Sequence, residues 1–186
     1  ALAFYWANRL CGNMLNSAVI EVSLGGLQLT AQINCIMAVT GAPMGLTING
    51  KTKSLWCSYA IKAGDTIDLE YASRGVRCYI AIKGGFDIPL SFASASTVCR
   101  ESIGGLSGGK LRVNDVLPVK LNFSQLNSPS LFKLPDVAQP KYSNEVRLRT
   151  ILSCQHHYFT DVDQRLFFSS DYQVSQYWDR MGYRLT

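Results

Sequence analysis

Charge is what this sequence is short of: only 17% of its 186 residues are Asp, Glu, Lys or Arg, against about a quarter in ordinary globular domains. Its 18 Lys and Arg are scattered rather than run together. The basic stripe or helix that nucleic-acid binding requires is therefore absent. No apolar run approaches the ~18 residues that cross a bilayer as a helix, and no signal-peptide pattern is visible. The chain begins at Ala1 with no initiator Met, which reads as an internal piece of a longer protein. Six cysteines contain no C-x-x-C pair, and most have apolar neighbours, as in Asn34-Cys35-Ile36-Met37. That argues against a disulfide framework or a zinc site and predicts six packing thiols in a reducing, cytoplasmic protein. Histidine occurs only at His156 and His157. Adjacent side chains of an extended segment point to opposite faces, so no metal site is expected there.

What is present is hydrophobicity, 47% of residues, and 15 glycines that punctuate it. Residues 1–13 are free of Gly and Pro until Gly12-Asn13, a helix with its C-terminal cap. Short β segments follow. Residues 19–24 and 27–32 flank Gly25-Gly26 and read as a two-residue hairpin, and 33–39 as a buried strand. Asn49-Gly50 marks the strongest hairpin, because both residues tolerate the positive φ of a type I′ turn. Strands are expected at 66–71 and 77–82, then loop from 91 to 109, with a strand resuming at 115–118. Residues 122–144 form a polar, Pro-punctuated connection between two lobes, 1–121 and 145–186. In the second lobe a strand is expected at 146–153. A short helix near 160–168 is capped by Thr160, with Asp161 and Asp163 in its first turn. Many short strands with Gly turns predict a mainly β fold, a barrel or sandwich.

Some motifs fail on inspection. Gly104 to Lys110 matches the first seven positions of a P-loop, but Leu111 stands where Ser or Thr would hold magnesium, and no helix pattern follows. A Gly-rich loop can still offer backbone N–H groups to an anion. No G-x-S-x-G elbow supports a serine nucleophile.

The last fifteen residues carry the clearest chemistry. Asp179, Arg180 and Arg184 crowd around Gly182, after a strand-like run at 172–175. A guanidinium beside a carboxylate suits a small polar substrate, because Arg grips carboxylates or phosphates with a planar fork. The stretch Asp179-Arg180-Met181-Gly182-Tyr183-Arg184-Leu185, preceded by Val174-Ser175, resembles the V-S-x-x-S-D-R-M-G-Y-R-L signature of the biotin-dependent carboxyltransferase family. That family includes the C subunit of bacterial 5-oxoprolinase, the kinase A inhibitor antagonist, allophanate hydrolase subunit 2 and part of urea carboxylase. Four further blocks agree in order: Ala7-Asn8-Arg9-Leu10-Cys11-Gly12-Asn13, Thr40-Gly41-Ala42, Ala81 to Pro89 around Gly84-Gly85, and Gly104-Gly105-Leu106-Ser107-Gly108-Gly109-Lys110-Leu111. There are departures. Phe92-Ala93-Ser94-Ala95-Ser96-Thr97 stands where the family has L-G-S-R-S-T, so a Gly and an Arg are lost at Ala93 and Ala95. Ser153-Cys154-Gln155-His156-His157 replaces G-P-Q-x-D, losing the Asp at His157, and Trp178 replaces a Ser.

The resemblance implies a cyclophilin-like β-barrel in two lobes, and an enzyme component that works only with partners. The expected reaction is the ATP-dependent opening of 5-oxoproline to glutamate, with A-like and B-like 5-oxoprolinase companions. Asp179, Arg180 and Gln155 are the implied catalytic residues; Arg184, Asn13, Gly84, Gly85, Gly104 and Gly105 are the implied substrate contacts. Two alternatives stay open: the carboxyltransferase component of a urea carboxylase or allophanate-pathway enzyme, and a non-catalytic antagonist of a kinase inhibitor. No biotin-attachment segment is present, so biotin would arrive on another chain.

Overall fold

The computed structural model describes residues 2–120, 131–143, 145–178 and 182–186. They fall into two compact units, 1–145 and 146–186. The first opens with α1 (Leu2–Leu10). This helix stops short of Asn13 because Gly12 takes φ +71, and the Gly12 and Asn13 amides turn back to the carbonyls of Arg9 and Asn8. That is a Schellman cap, which a Cβ would oppose.

Eight strands follow: β1 (Ile20–Ser23), β2 (Leu27–Thr30), β3 (Cys35–Gly41), β4 (Met44–Ile48), β5 (Lys51–Lys53), β6 (Cys57–Ile61), β7 (Thr66–Ala72) and β8 (Arg77–Ile82). They make two four-stranded antiparallel sheets, ordered β1-β8-β3-β6 and β2-β7-β4-β5. Both contribute to one apolar core, with Met37, Val39 and Ile80 from the first sheet meeting Leu46, Ile67 and Leu69 from the second. All seven residues of β3 are buried. One face of that strand fills the core, while Ala38 on the other meets Ala7, Leu10 and Cys11 beneath α1. Burial on both faces is why its sequence reads as an unbroken apolar run.

The Asn49-Gly50 hairpin joins β4 to β5 as expected, with φ +51 and +71 at its two turn residues. The Gly25-Gly26 hairpin does not form. Leu24, Gly25 and Gly26 are all left-handed, and the chain turns there from one sheet to the other. β1 pairs with β8 and β2 with β7, never with each other. A strand at 115–118 is also not found among the described residues; at its end Val119 bridges Phe86, and the Pro118 carbonyl accepts from Asp87 N at 2.8 Å. The described part of the 122–144 connection packs on the first unit, with Leu134 buried and its N–H bonded to the Trp56 carbonyl.

The second unit holds α2 (Asp161–Ser169) and the hairpin of β9 (Val174–Trp178) and β10 (Tyr183–Leu185). The Thr160 cap is present as a full capping box with Asp163. Residues 146–153, expected as a strand, have no strand partner among the described residues; Val146 and Leu148 stand exposed. The strand expected at 172–175 lies two residues further on, as β9. His156–His157 sit in a 3-10 turn (His156–Tyr158) rather than an extended segment. Four cysteines are buried, but Cys99 and Cys154 are exposed, so only four of the six serve packing. Among the described residues no helix is long and apolar enough to cross a membrane.

Candidate functional site

Asn8 and Asn13 build a connected polar cluster in the first unit. Asn8 is fully buried on α1, and its amide donates to the Ser17 carbonyl at 2.9 Å. Asn13 donates to Asn8 Oδ1 at 3.1 Å and to the Ile82 carbonyl at 2.8 Å, while its own Oδ1 accepts the Gly84 N–H at 2.8 Å. Two of the predicted contact residues, Asn13 and Gly84, are thus brought together, but by binding each other. The Gly85 amide is also engaged, donating to Ile82 O at 2.8 Å, and its carbonyl accepts from Lys120 N. Both glycines are left-handed, at φ +87 and +81, and a Cβ on Gly84 would strike the Lys120 carbonyl. With both N–H groups used, this turn is a clamp between α1 and β8, not an open donor pair.

Gly104-Gly105 differ. They follow a small loop closed by Val98 and Ile103 and are left-handed at φ +72 and +60. Among the described residues no acceptor meets the N–H of Gly104 or of Gly105, whereas the Gly104 carbonyl accepts from Gly108 N at 2.8 Å. The Ser96 carbonyl occupies the place of a Cβ on Gly104, and Thr97 Oγ1 that of one on Gly105. Only glycine admits this contact, and it sets a hydroxyl beside two free amide donors. Such a group can hold a carboxylate oxygen or an oxyanion.

The remaining predicted residues belong to the second unit. Gln155 precedes the His156–Tyr158 turn; its backbone N–H donates to Ser153 Oγ and its carbonyl accepts from Tyr158, which leaves the exposed side chain without a partner among the described residues. Arg184, on β10, lies 5.7 Å from the Tyr177 ring centre. That contact holds the guanidinium against the ring, and no described residue accepts from its donors. Trp178 and Tyr183 stack at the mouth of the same hairpin, centroids 5.9 Å apart. Asp179 and Arg180 lie outside the described residues. An open groove of about 600 Å³ is lined by Leu152, Asp161, Gln164, Arg165, Phe168 and Ser169, none of which the sequence singled out as a substrate contact.

Burial disqualifies the thiol nearest the clamp. Cys11 Sγ lies 3.4 Å from the Ala81 carbonyl, and desolvation pushes its pKa up to about 12, so it stays a neutral thiol and no nucleophile. Sequence reasoning missed Asn8 and Thr97 as site-building residues. Both stood within motif blocks already quoted; only contact geometry shows that one is wholly buried and the other abuts Gly105.

Two antiparallel sheets under a capped helix, with glycine turns at the sheet ends, make a β domain that presents backbone donors from its loops. The chain belongs to the carboxyltransferase domain family, subdomains A and B, whose profile matches residues 1–186. It is 33% identical over 181 residues to the 5-oxoprolinase C subunit of Escherichia coli K12, covering 96% of this chain and 56% of that protein. It is 29% identical over 190 residues to urea amidolyase of Saccharomyces cerevisiae, covering 100% of this chain and 10% of the relative. The crystal structure of K. lactis urea amidolyase superposes with a TM-score of 0.83 at 27% identity, over 99% of this chain and 12% of that one. The chain therefore spans about half the length of its bacterial relative and a small part of the fungal enzymes.

Proposed function

We propose that this chain is part of a cytoplasmic 5-oxoprolinase C subunit, which opens 5-oxoproline to glutamate in an ATP-dependent complex with A-like and B-like companions. The observation that carries this reading is the 33% identity to a bacterial C subunit across 96% of the chain. ATP supplies activation of the lactam oxygen in the assembled complex. The Gly104–Lys110 loop does not fit a phosphate cradle of the P-loop kind, since Leu111 and Arg112 follow it without a helix; ATP is then held elsewhere in the assembly.

The chain's own residues take the other tasks. The Gly104 and Gly105 amides receive the negative oxygen that develops as the ring carbonyl is attacked, in fixed geometry that needs no reorganisation. Arg180, with Arg184 beside it in sequence, grips the substrate carboxylate in a charge-assisted bond. Asp179 orients or deprotonates water, and the free Gln155 amide adds a donor. Asn13, Gly84 and Gly85 act on substrate only indirectly, by holding the sheet end in place.

A second reading, the carboxyltransferase component of a biotin-dependent urea carboxylase or allophanate-pathway enzyme, is supported by the TM-score of 0.83 with K. lactis urea amidolyase. Biotin would then come on another domain or chain. One assay separates the readings: the full-length protein is combined with its A-like and B-like companions, and glutamate release from 5-oxoproline and ATP is followed. Turnover that needs all three proteins and ATP is expected. Carboxylation of urea by a biotinylated carrier, with 5-oxoproline untouched, would establish the second reading. Inactivity in both assays leaves a non-catalytic antagonist.

A further inference from the structure

Between Val98 and Gly109 the chain takes a strained path for little hydrogen bonding. Ser102, Gly104, Gly105 and Gly108 are all left-handed, at φ +55, +72, +60 and +74. Contacts explain the three glycines. A Cβ would meet the Ser96 carbonyl at Gly104, the Thr97 hydroxyl at Gly105 and the Ser102 carbonyl at Gly108. A bond from Gly108 N to the Gly104 carbonyl, 2.8 Å long, closes the turn. Within it the N–H groups of Gly104, Gly105, Leu106 and Ser107 have no acceptor among the described residues, although Gly104, Gly105 and Leu106 are half-buried. Half-buried amides want an acceptor, and a strained backbone that withholds one marks a place for a ligand oxygen.

Thr97 stands against this turn. Val98 N donates to the Ile103 carbonyl at 2.8 Å and Ile103 N to the Val98 carbonyl at 3.3 Å, an antiparallel bridge that sets Thr97 and Gly104 as the next pair along. The Thr97 Cβ and Cγ2 lie 3.0 and 3.2 Å from the place a Cβ would take on Gly105, with Oγ1 nearer still. A β-branched side chain is stiff at χ1, so the position of that hydroxyl is fixed. It has no hydrogen-bond partner among the described residues. At Gly84 the neighbouring side chain, Asn13, takes the glycine N–H. At Gly105 the neighbouring hydroxyl takes none, so amides and hydroxyl alike are left for a third group. Four N–H donors call for lone pairs, and a hydroxyl can add its own proton to theirs.

We propose that Thr97 is a further catalytic residue: beside the Gly104 and Gly105 amides, its hydroxyl donates to the oxygen that turns negative when the substrate carbonyl is attacked. The role rests on the function proposed above, which brings that oxygen to this loop, and adds to it a side chain. Donors held in place before the reaction need no reorganisation as charge develops. Unlike the amides, the hydroxyl can be removed without disturbing the backbone.

The test is the steady-state kinetics of three full-length variants in the assembled complex, with melting temperatures alongside. Thr97→Val keeps the shape and removes the hydroxyl, so kcat should fall about a hundredfold while KM and melting temperature hold. Thr97→Ser keeps the hydroxyl and should retain most of kcat. Thr97→Ala leaves room for a water in the hydroxyl's place and should fall between the two. A packing role alone gives the other order, with Thr97→Ala worse than Thr97→Val, because it opens the larger gap. Normal kcat in Thr97→Val, or a slower Thr97→Ala, overturns the role of Thr97 and leaves the 5-oxoprolinase reading standing. A lower melting temperature for Thr97→Val alone would show the hydroxyl bonded within the chain and also overturns it. If the wild type carboxylates urea instead, that reading falls by itself. Attack on a carbonyl carbon is common to both reactions, so the order of the variants in that assay then decides Thr97. A wild type inactive in both assays overturns the two together.

Discussion

At the scale of single residues, the local motif and the local geometry point to different tasks. Arg180 and Asp179 are assigned by motif chemistry, and their test is kinetic. In the assembled complex, Arg180→Ala removes a charge-assisted contact worth roughly 1.5–3 kcal/mol. With each 1.36 kcal/mol equal to a factor of ten in rate, activity should fall by about tenfold to a few hundredfold with the melting temperature unchanged. Asp179→Asn keeps the shape and removes the charge, and it should abolish most of kcat while KM holds. Normal 5-oxoproline turnover in both variants would leave the motif a structural turn. Gly84 is the opposite case, assigned by geometry. At φ +87, with the Lys120 carbonyl against its Cα, Gly84→Ala should lose at least ~1–2 kcal/mol of stability from the left-handed backbone alone, seen as a lower denaturation midpoint.

At the scale of elements, the turn between β6 and β7 holds a small polar network. Asp65 accepts from Lys62 N and from the Asn49 amide, both at 2.8 Å, and these bonds hold its pKa below the usual carboxylate value. The folded state binds this proton less readily than the unfolded chain does. The stability it brings is therefore complete above the unfolded pKa of about 4 and is lost as pH falls through the lower folded value. Asp65→Asn should flatten the acid limb of the stability curve, measured by denaturant unfolding at a series of pH values, lowering stability at neutral pH and changing little at the acid end, where the carboxyl is protonated in both states. The buried strands offer a second check. Cys35, Cys57 and Cys78 on β3, β6 and β8, with Cys11 just beyond α1, should resist thiol reagents until unfolding, whereas Cys99 and Cys154 label at once.

At the scale of the whole molecule, the two units differ in kind. The first encloses a core between two sheets. In the second no described residue is buried, although α2 and the β9–β10 hairpin are formed, and Phe159, Val162, Leu166 and Tyr177 are each more than half exposed. Elements with no core of their own depend on surfaces they meet elsewhere. Hydrogen exchange should therefore show slow amides in β3 and β8 and fast ones throughout 146–186. In the assembled complex the second unit should gain protection; exchange that stays fast there would show that assembly does not cover it.

The sequence by itself determined the β-rich class, the Asn49-Gly50 hairpin, the capped helix at Thr160 and membership of the family, because each rests on neighbours in the chain or on ordered motifs. It also marked the glycine pairs as special. Tertiary structure decided what they do. Gly25-Gly26 turns between sheets rather than within one, since β1 and β2 find better partners in β8 and β7. Residues 146–153 alternate like a strand yet pair with none among the described residues, because a ladder needs a neighbour that sequence spacing does not supply. Gly84-Gly85 and Gly104-Gly105 look alike as letters. The first pair commits its amides to Asn13 and Ile82, while no described residue accepts from the second, a difference made by side chains and strands many residues away, brought close only by the fold.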